Sequence, residues 1–335
     1  MRKPYFLAAL LWPATIAHAQ PTPTYWVSAA FAVKGGGGYD YLTVDPASDK
    51  LYVAHGAQVD ILNKNTGASI GIIPVEKDAH GIALVPSLGK GYISNGTMNQ
   101  VLVFDLATNK ILARVPTGNF TDAIFYDDFS KKVITCNGRS KNMTVIDPTH
   151  DTVVATIQLS GWPETALSDG KGHIYVNNAE KAEVTVVDAA TFKITHRWPN
   201  TPGTGASGLS MDRATMRLFA TCGNQRMIVM DATNGRVLAS FPTGEGADGA
   251  GFDNRFKTAY SANGEGTLTV IQELSANKFM LVGNVVTKPG TRTIAVDQTT
   301  HKVYLPSAVF KPATKDTFRP EMIPGTFKIL TVQRK

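Results

Sequence analysis

The stretch GHIYVNNAEKAEVTVVDAATFKI, residues Gly172–Ile194, contains the pattern from which the architecture can be predicted. Its runs of Val, Ile, Tyr and Thr are rich in residues that favour β-strands. An Asn-Asn pair and an Asp-Ala-Ala triplet interrupt these runs, as turns between short strands do. Similar stretches occur seven times in the chain, so the pattern indicates an internal repeat.

The seven segments align on the residue that follows their first predicted strand. These alignment positions are 40 to 44 residues apart, at Asp45, Val85, Asp127, Asp169, Asp212, Asp253 and Asp297. Each segment continues with a third strand, such as VTVVD at 184–188, and the first six also have a fourth, such as RVLASFPTG at 236–244. Four short strands separated by Gly, Pro, Asn and Asp turns form one antiparallel blade.

A lone blade cannot bury both of its faces, whereas blades stacked around an axis cover one another. A strand repeat of about 40–50 residues is typical of a propeller. The sequence therefore predicts an all-β fold, a seven-bladed β-propeller of four-stranded antiparallel blades. The seventh unit has strands near Thr293–Val296, Lys302–Leu305 and Thr326–Val332 but lacks a fourth. We expect the N-terminal strand Tyr25–Val33 to complete this last blade and close the ring.

A recurring phrase marks the second strand of each unit. It reads YVAH at Tyr52–His55, YISN at Tyr92–Asn95, ITCN at Ile134–Asn137, YVNN at Tyr175–Asn178, FATC at Phe219–Cys222, YSAN at Tyr260–Asn263 and YLPS at Tyr304–Ser307. We expect its first residue to pack between blades. The final Asn tolerates positive φ and is often followed by Gly, which predicts a hairpin turn at that position.

This phrase resembles the YVTN family of β-propeller repeats, which includes periplasmic YncE-like proteins. The resemblance covers residues 25–335 and implies a seven-bladed, exported protein. It implies no catalytic residue, because the family has no shared catalytic motif. His55, Cys222 and Ser307 depart from the usual Asn at the end of the phrase.

The first residues have the features of a secretory signal peptide. MRK supplies a positive start, PYFLAALLWPATI an apolar run too short to span a bilayer, and Ala17-His18-Ala19 a cleavage site. We expect cleavage of residues 1–19 before Gln20, a periplasmic or secreted protein without a membrane span, and a single mature domain over 20–335. Cys136 and Cys222 fall in non-adjacent repeats, so we expect free thiols.

One repeat position gathers ionisable residues. We call it the lead-in position; it lies five residues before each alignment position and reads Asp40, His80, Asp122, Glu164, Ser207, Asp248 and Arg292. In a propeller these positions converge around one mouth of the central channel. The next position is small in six repeats, as crowding near the axis requires, but is Tyr41 in the first, which would plug or line the mouth.

Two interpretations of the lead-in residues remain open at this point. In the first, they bind a small polar ligand or a divalent cation, with Asp40, His80, Asp122, Glu164 and Asp248 as metal ligands, or crowding raises a carboxyl pKa for acid–base chemistry. In the second, they accept backbone hydrogen bonds and are solvated. No close-spaced metal motif such as His-Glu-x-x-His occurs in the sequence.

The segment Pro306–Phe327 is much longer than the equivalent connection in other repeats. It is rich in Pro and carries Lys311, Lys315 and Arg319. Long loops are often functional, and the topology places this one on the face of the lead-in residues. It is either a basic lid over the carboxylates or an insertion without that role.

We therefore expect a monomeric binding or interaction scaffold for a small polar ligand, a cation or a partner protein. The first alternative is a hydrolase or lyase that uses His80 with carboxylates at the mouth. The second is nucleic-acid binding through a mildly basic surface, since the formal charge of +6 falls to +4 when Arg2 and Lys3 are removed.

Overall fold

The computed structural model describes residues 24–312 and 321–335, and within them the chain forms 28 strands. The strands make seven four-stranded sheets whose neighbouring strands are antiparallel. The sheets follow one another around a ring, so the predicted seven-bladed β-propeller is confirmed. The predicted signal peptide, residues 1–19, lies outside the described residues.

Blades are numbered in chain order, and their strands are given from the channel outward. Blade 1 comprises β2 to β5, Tyr39–Val44, Lys50–His55, Gln58–Asn63 and Ser69–Pro74. Blade 2 comprises β6 to β9, Ala79–Val85, Lys90–Asn95, Gln100–Asp105 and Ile111–Pro116, with a one-turn 3-10 helix at Pro86–Leu88. Blade 3 comprises β10 to β13, Thr121–Asp127, Lys132–Asn137, Asn142–Asp147 and Thr152–Gln158.

The remaining blades repeat this arrangement. Blade 4 comprises β14 to β17, Pro163–Ser168, His173–Asn178, Glu183–Asp188 and Lys193–Pro199. Blade 5 comprises β18 to β21, Ala206–Asp212, Arg217–Cys222, Arg226–Asp231 and Val237–Pro242. Blade 6 comprises β22 to β25, Ala247–Asp253, Thr258–Asn263, Thr267–Ser275 and Lys278–Val286. Blade 7 comprises β26, β27, β28 and β1, Ala295–Val296, Val303–Ser307, Lys328–Arg334 and Tyr25–Ala32.

Ring closure occurs as the sequence predicts. The N-terminal strand β1 pairs antiparallel with β28, which makes it the outer strand of blade 7. The innermost strands β26 and β2 are in contact, so the last blade packs on the first. The glycine run Gly35–Gly38 then connects β1 to β2.

The hydrophobic core lies between the blades, where the recurring Tyr residues are buried. Tyr92 packs with Val101 of its own blade and Val133 of the next in one such cluster. The hydroxyl of Tyr175 donates to the carbonyl of Ala232, 2.9 Å away in the following blade, and Tyr304 bonds in the same way to Lys64. The expected packing role of this residue is confirmed.

The hairpin turn predicted after the Asn that ends the phrase is present, but the Asn itself is not the residue at positive φ. Asn95, Asn137 and Asn263 end strands and are not at positive φ; in the first two hairpins the left-handed residues lie four positions later, at Asn99 and Lys141. The buried side chain of Asn137 instead donates to Asn142 and Thr144, both at 2.9 Å. It therefore links the second strand of the blade to the third.

Two further sequence-based expectations concern the whole chain. Cys136 and Cys222 are both buried and both free thiols, as predicted. In the described part of the chain, no helix has the length and apolar character needed to cross a membrane.

Candidate functional site at the channel mouth

The innermost strands carry a β-bulge at the lead-in position in blades 1 to 6. In blade 1 the pairing register shifts between Tyr39 and Leu42, so that Asp40 and Tyr41 lie opposite Ala54 alone. The same shift occurs at the equivalent place in the next five blades. A bulge breaks the strict alternation of a strand and redirects side chains. Here it accompanies lead-in side chains that lie at the mouth of the channel.

A cavity of about 480 Å³ occupies this mouth. Its lining includes all six ionisable lead-in residues, contributed by six different blades. The lining residues are Asp40, Tyr41, Asp78, His80, Thr97, Phe120, Asp122, Arg139, Trp162, Glu164, Asp248 and Arg292. The structure therefore brings together the side chains that the repeat singled out, although their residues lie up to 252 positions apart.

His80 forms the centre of one charged group. Its Nδ1 is 2.5 Å from Asp40 Oδ2 and 3.5 Å from Asp122 Oδ1, and its Nε2 is 3.3 Å from Asp78 Oδ2. Burial alone would lower the pKa of this imidazole, but the hydrogen bonds to Asp40 and Asp78 and the charge of Asp122 raise it to about 11. At neutral pH His80 is an imidazolium, which suits a proton donor better than a base.

Arg292 forms the second charged group, on the side of blades 6, 7 and 1. Its guanidinium donates to Asp248, donates to the Tyr39 carbonyl at 3.0 Å and lies 3.8 Å from Asp40. Although burial opposes its charge, Asp40 and Asp248 raise the pKa of Arg292 further above its usual range. The carboxylates on this side of the mouth thus have a permanent cation beside them.

Asp122 and Glu164 are less well compensated. Oδ1 of Asp122 is buried without a hydrogen-bond partner in the described structure. Burial raises the pKa of Asp122 to about 7, against the opposing effect of His80. Burial also raises the pKa of Glu164 to about 9, and the carboxylates of Asp122, Asp248 and Asp40 add to the rise. Near neutral pH, one carboxyl is protonated and the other titrates.

Tyr41 and Ser207 complete the lead-in region in different ways. Tyr41 lines the cavity and packs against the hydrophobic cluster of blades 3 and 4 that contains Ala123 and Ala166. Because Tyr41 belongs to blade 1, its ring reaches across the channel, in agreement with the predicted lining role. Ser207 instead donates to the Ala247 carbonyl at 3.0 Å and is not among the lining residues.

Five lining residues of the mouth were not singled out as site residues from the sequence: Asp78, Thr97, Phe120, Arg139 and Trp162. Phe120 and Trp162 have ring centroids 5.7 Å apart, and the Arg139 guanidinium lies 5.0 Å from the Phe120 centroid. Trp162 thus lies at the mouth of the channel. Gly138 makes room for it, since a Cβ there would lie 2.4 Å from the indole.

A repeat signal for three of these residues does exist, two positions before the lead-in position. Blades 1, 5, 6 and 7 have glycine there, whereas blades 2, 3 and 4 have Asp78, Phe120 and Trp162. Phe120 has φ +60°, close to the +61° of its counterpart Gly205. A bulky side chain in this left-handed region is unusual and tends to occur at functional sites.

A metal ion is sterically compatible with part of the mouth. Asp40, His80 and Asp122 each offer one ligand atom, and these atoms lie within 4.8 Å of one another. A metal ion would need the neutral imidazole, however, and the neighbouring carboxylates favour the imidazolium. The arrangement as it stands is an ion-paired network, in which the proton on His80 competes with any cation.

The described part of the long insertion packs beside the mouth. Phe310 and Phe327 lie against Tyr39, with ring centroids 5.9 and 5.1 Å away. Lys311 pairs with Glu321 at 2.6 Å, and its side chain is not part of the cavity lining. Lys315 and Arg319 lie outside the described residues, so the basic lid stays a prediction.

Comparisons with known proteins bear on the fold. No family model matches the chain, and no curated protein matches it. In contrast, 1815 chains of solved structures match, which shows that the architecture is widely used. One is hydrazine synthase of Kuenenia stuttgartiensis, with a TM-score of 0.71, 14% identity and coverage of 82% of this chain and 94% of that chain. At this identity the likeness establishes a shared propeller fold alone.

Proposed function

We propose that this protein is an exported propeller of the YVTN-repeat type that binds a small polar ligand at one mouth of its channel. The export and repeat assignments are supported by the N-terminal sequence and by the recurring phrase. The binding role is supported chiefly by one observation: ionisable residues of six blades line a single 480 Å³ cavity. Ligand sites are commonly concave pockets of this size with a few convergent polar groups.

Export is tested at the N-terminus of the protein purified from its native host. Intact-mass measurement is expected to give a chain that begins at Gln20. A chain that retains residues 1–19 would contradict the proposed cleavage. Molar mass from light scattering tests the proposed monomer in the same sample.

Binding is tested by a thermal-shift screen of small polar compounds against the wild-type protein and the D122N/E164Q variant. We expect compounds that raise the melting temperature of the wild type and have little effect on the variant. D128N is a matched control, because Asp128 follows the opposite end of the same strand and its side chain is 62% exposed. If every stabilising compound acts equally on all three proteins, the mouth is not the binding site.

A second candidate, acid–base catalysis, is favoured by the two perturbed carboxyls. With a pKa of about 7, Asp122 suits a general base, and with a pKa of about 9, Glu164 suits a general acid. Asp122 and Glu164 therefore support the hydrolase or lyase hypothesis better than His80 does in the role of a general base. Conversion of any compound found in the screen should be lost in D122N; retained conversion would dismiss this role.

Nucleic-acid binding at this mouth is disfavoured. The cavity lining has five carboxyl groups and only three basic side chains, Arg139, Arg292 and His80. Phosphate groups require a positive surface. A salt-dependent affinity for DNA or RNA would therefore have to arise elsewhere on the protein.

A further inference from the structure

The two sides of the mouth differ in how their carboxyls are compensated. On one side, Arg292 is bonded to Asp248 and lies near Asp40. On the other side, Glu164 makes no hydrogen bond or ion pair with the residues that the structure describes. On the side of blades 3 and 4, Glu164 is therefore the lining carboxyl that lacks a bonded cation.

Asp122 supplies an independent indication on that same side. The residue is only 9% exposed and lines the cavity, and its buried Oδ1 has no hydrogen-bond partner in the described structure, although His80 Nδ1 lies 3.5 Å away. Buried polar atoms in folded proteins nearly always have a partner. A cation in the cavity beside Asp122 would supplement the charge compensation that His80 gives this carboxyl.

The wall beside these carboxyls is aromatic. Phe120 and Trp162 line the cavity next to Asp122 and Glu164, each two residues before one of them in the chain. The Phe120 ring already accepts one cation, the guanidinium of Arg139 at 5.0 Å. Aromatic faces attract cations and pack against apolar groups.

We propose that the mouth binds an organic cation, a primary ammonium or guanidinium group attached to a small apolar body. The cationic group lies between the carboxyls of Asp122 and Glu164, and the apolar body lies against Phe120 and Trp162. The inference rests on the proposed function, since it assigns a ligand class to that same cavity.

Competing ligand classes fit less well. An organic anion would face the carboxyl of Glu164, which has no ion-pair partner in the described structure. A divalent metal ion would use carboxylate oxygens but leave the aromatic wall without a role. A bound ammonium also favours the ionised forms of Asp122 and Glu164, so their raised pKa values do not prevent binding.

The ligand class is tested by isothermal titration calorimetry with matched probes at neutral pH. Benzylammonium is compared with benzyl alcohol, benzoate and calcium chloride. We expect one binding site for benzylammonium, and affinity weaker by about tenfold or more for the uncharged and anionic probes. D122N and E164Q should each weaken benzylammonium binding by about tenfold, whereas D128N should leave it unchanged.

The aromatic contribution is tested with F120G. Glycine already occupies this backbone conformation in blade 5, where Gly205 has φ +61°, so the variant is expected to fold. It should weaken benzylammonium binding about three- to tenfold and leave the binding of methylammonium unchanged. Equal losses for both amines would contradict the assigned position of the ring.

The outcomes separate this inference from the proposed function. If benzoate, benzyl alcohol or calcium binds more tightly than benzylammonium and D122N abolishes that binding, the mouth is a site but the ligand class is wrong. If no amine binds, the inference is overturned, while the compound screen decides the proposed function independently. Two sources of the cation, a lysine side chain of a partner protein and a free amine, are distinguished with N-acetyl-lysinamide. Its binding points to a lysine of a partner protein. If it does not bind, the ligand is a free amine.

Discussion

Glu164 and Asp122 determine the electrostatics of the channel mouth. Their positions were predictable, because the repeat fixes which residue begins each innermost strand. Their pKa values could not be predicted, because these depend on burial and on which carboxyls pair with Arg292 and His80. Phe120 and Trp162 were missed because they precede their strands, at a repeat position that is glycine in four blades and shows no shared residue type in the other three.

The raised carboxyl pKa values lead to a pH dependence of stability. The pKa of Glu164 rises from about 4.5 in the unfolded chain to about 9 in the fold. The folded state therefore holds this proton more tightly, and the resulting stability is present below pH 4.5 and lost as the pH rises toward 9. His80 acts in the same direction, because its pKa is also raised. Wild-type stability is expected to fall across this range.

E164Q removes the part of this dependence that Glu164 contributes. We expect E164Q to exceed the wild type in unfolding free energy by roughly 1–3 kcal/mol at pH 9, with little difference at pH 4. Urea unfolding at several pH values measures this, and D128N is expected to follow the wild-type profile. A constant difference between E164Q and wild type at all pH values would contradict the raised pKa.

The recurring Tyr residues permit a comparison within one repeat position. The hydroxyl of Tyr175 donates to Ala232, whereas the buried hydroxyl of Tyr52 has no partner in the described structure. Y175F should cost about 1 kcal/mol of unfolding free energy, and Y52F should be neutral or stabilising. Equal effects in denaturant unfolding would show that these hydrogen bonds are not formed.

At the level of elements, the innermost strands are packed unusually closely. A Cβ on Gly208 of β18 would lie 2.4 Å from the Ala250 nitrogen on the next blade. The sequence predicted small residues here from crowding near the axis, and the contact confirms it. The strands themselves were also predictable from turn spacing, but the innermost strand of blade 7, predicted near Thr293–Val296, is limited to Ala295–Val296.

This close approach predicts a large effect of one methyl group. G208A should destabilise the protein by about 2–3 kcal/mol, because the backbone of the next blade must move. G36A is the matched control: its Cβ would meet nothing within 4 Å, so we expect a change below about 0.5 kcal/mol. Similar unfolding free energies for the two variants would contradict the close packing of adjacent innermost strands.

At the level of the whole molecule, the ring brings together residues that the chain separates. The blade count, the strand order and the closing strand followed from the repeat, because each blade needs a neighbour on both faces. The asymmetry of the mouth did not follow, since it arises from the way individual blades depart from the repeat. The proposed binding role therefore depends on the residues by which the seven blades differ.

The closing strand is expected to stabilise the entire ring. A chain that begins at Val33 lacks β1 and exposes the edge of β28, so its unfolding free energy should fall by more than about 3 kcal/mol relative to a chain that begins at Thr24. A synthetic peptide of residues 24–33 should restore stability in trans by strand addition. An equally stable shortened chain would mean that closure depends on other contacts.

The most direct measurement is a crystal structure of the protein soaked with benzylammonium. The ring of carboxyls should line the mouth, with the ammonium nitrogen about 2.7–3.2 Å from carboxyl oxygens of Asp122 and Glu164 and the phenyl ring against Phe120 and Trp162. Side chains that point away from the axis, or a ligand bound only outside the channel, would contradict the claim that six blades build one binding site.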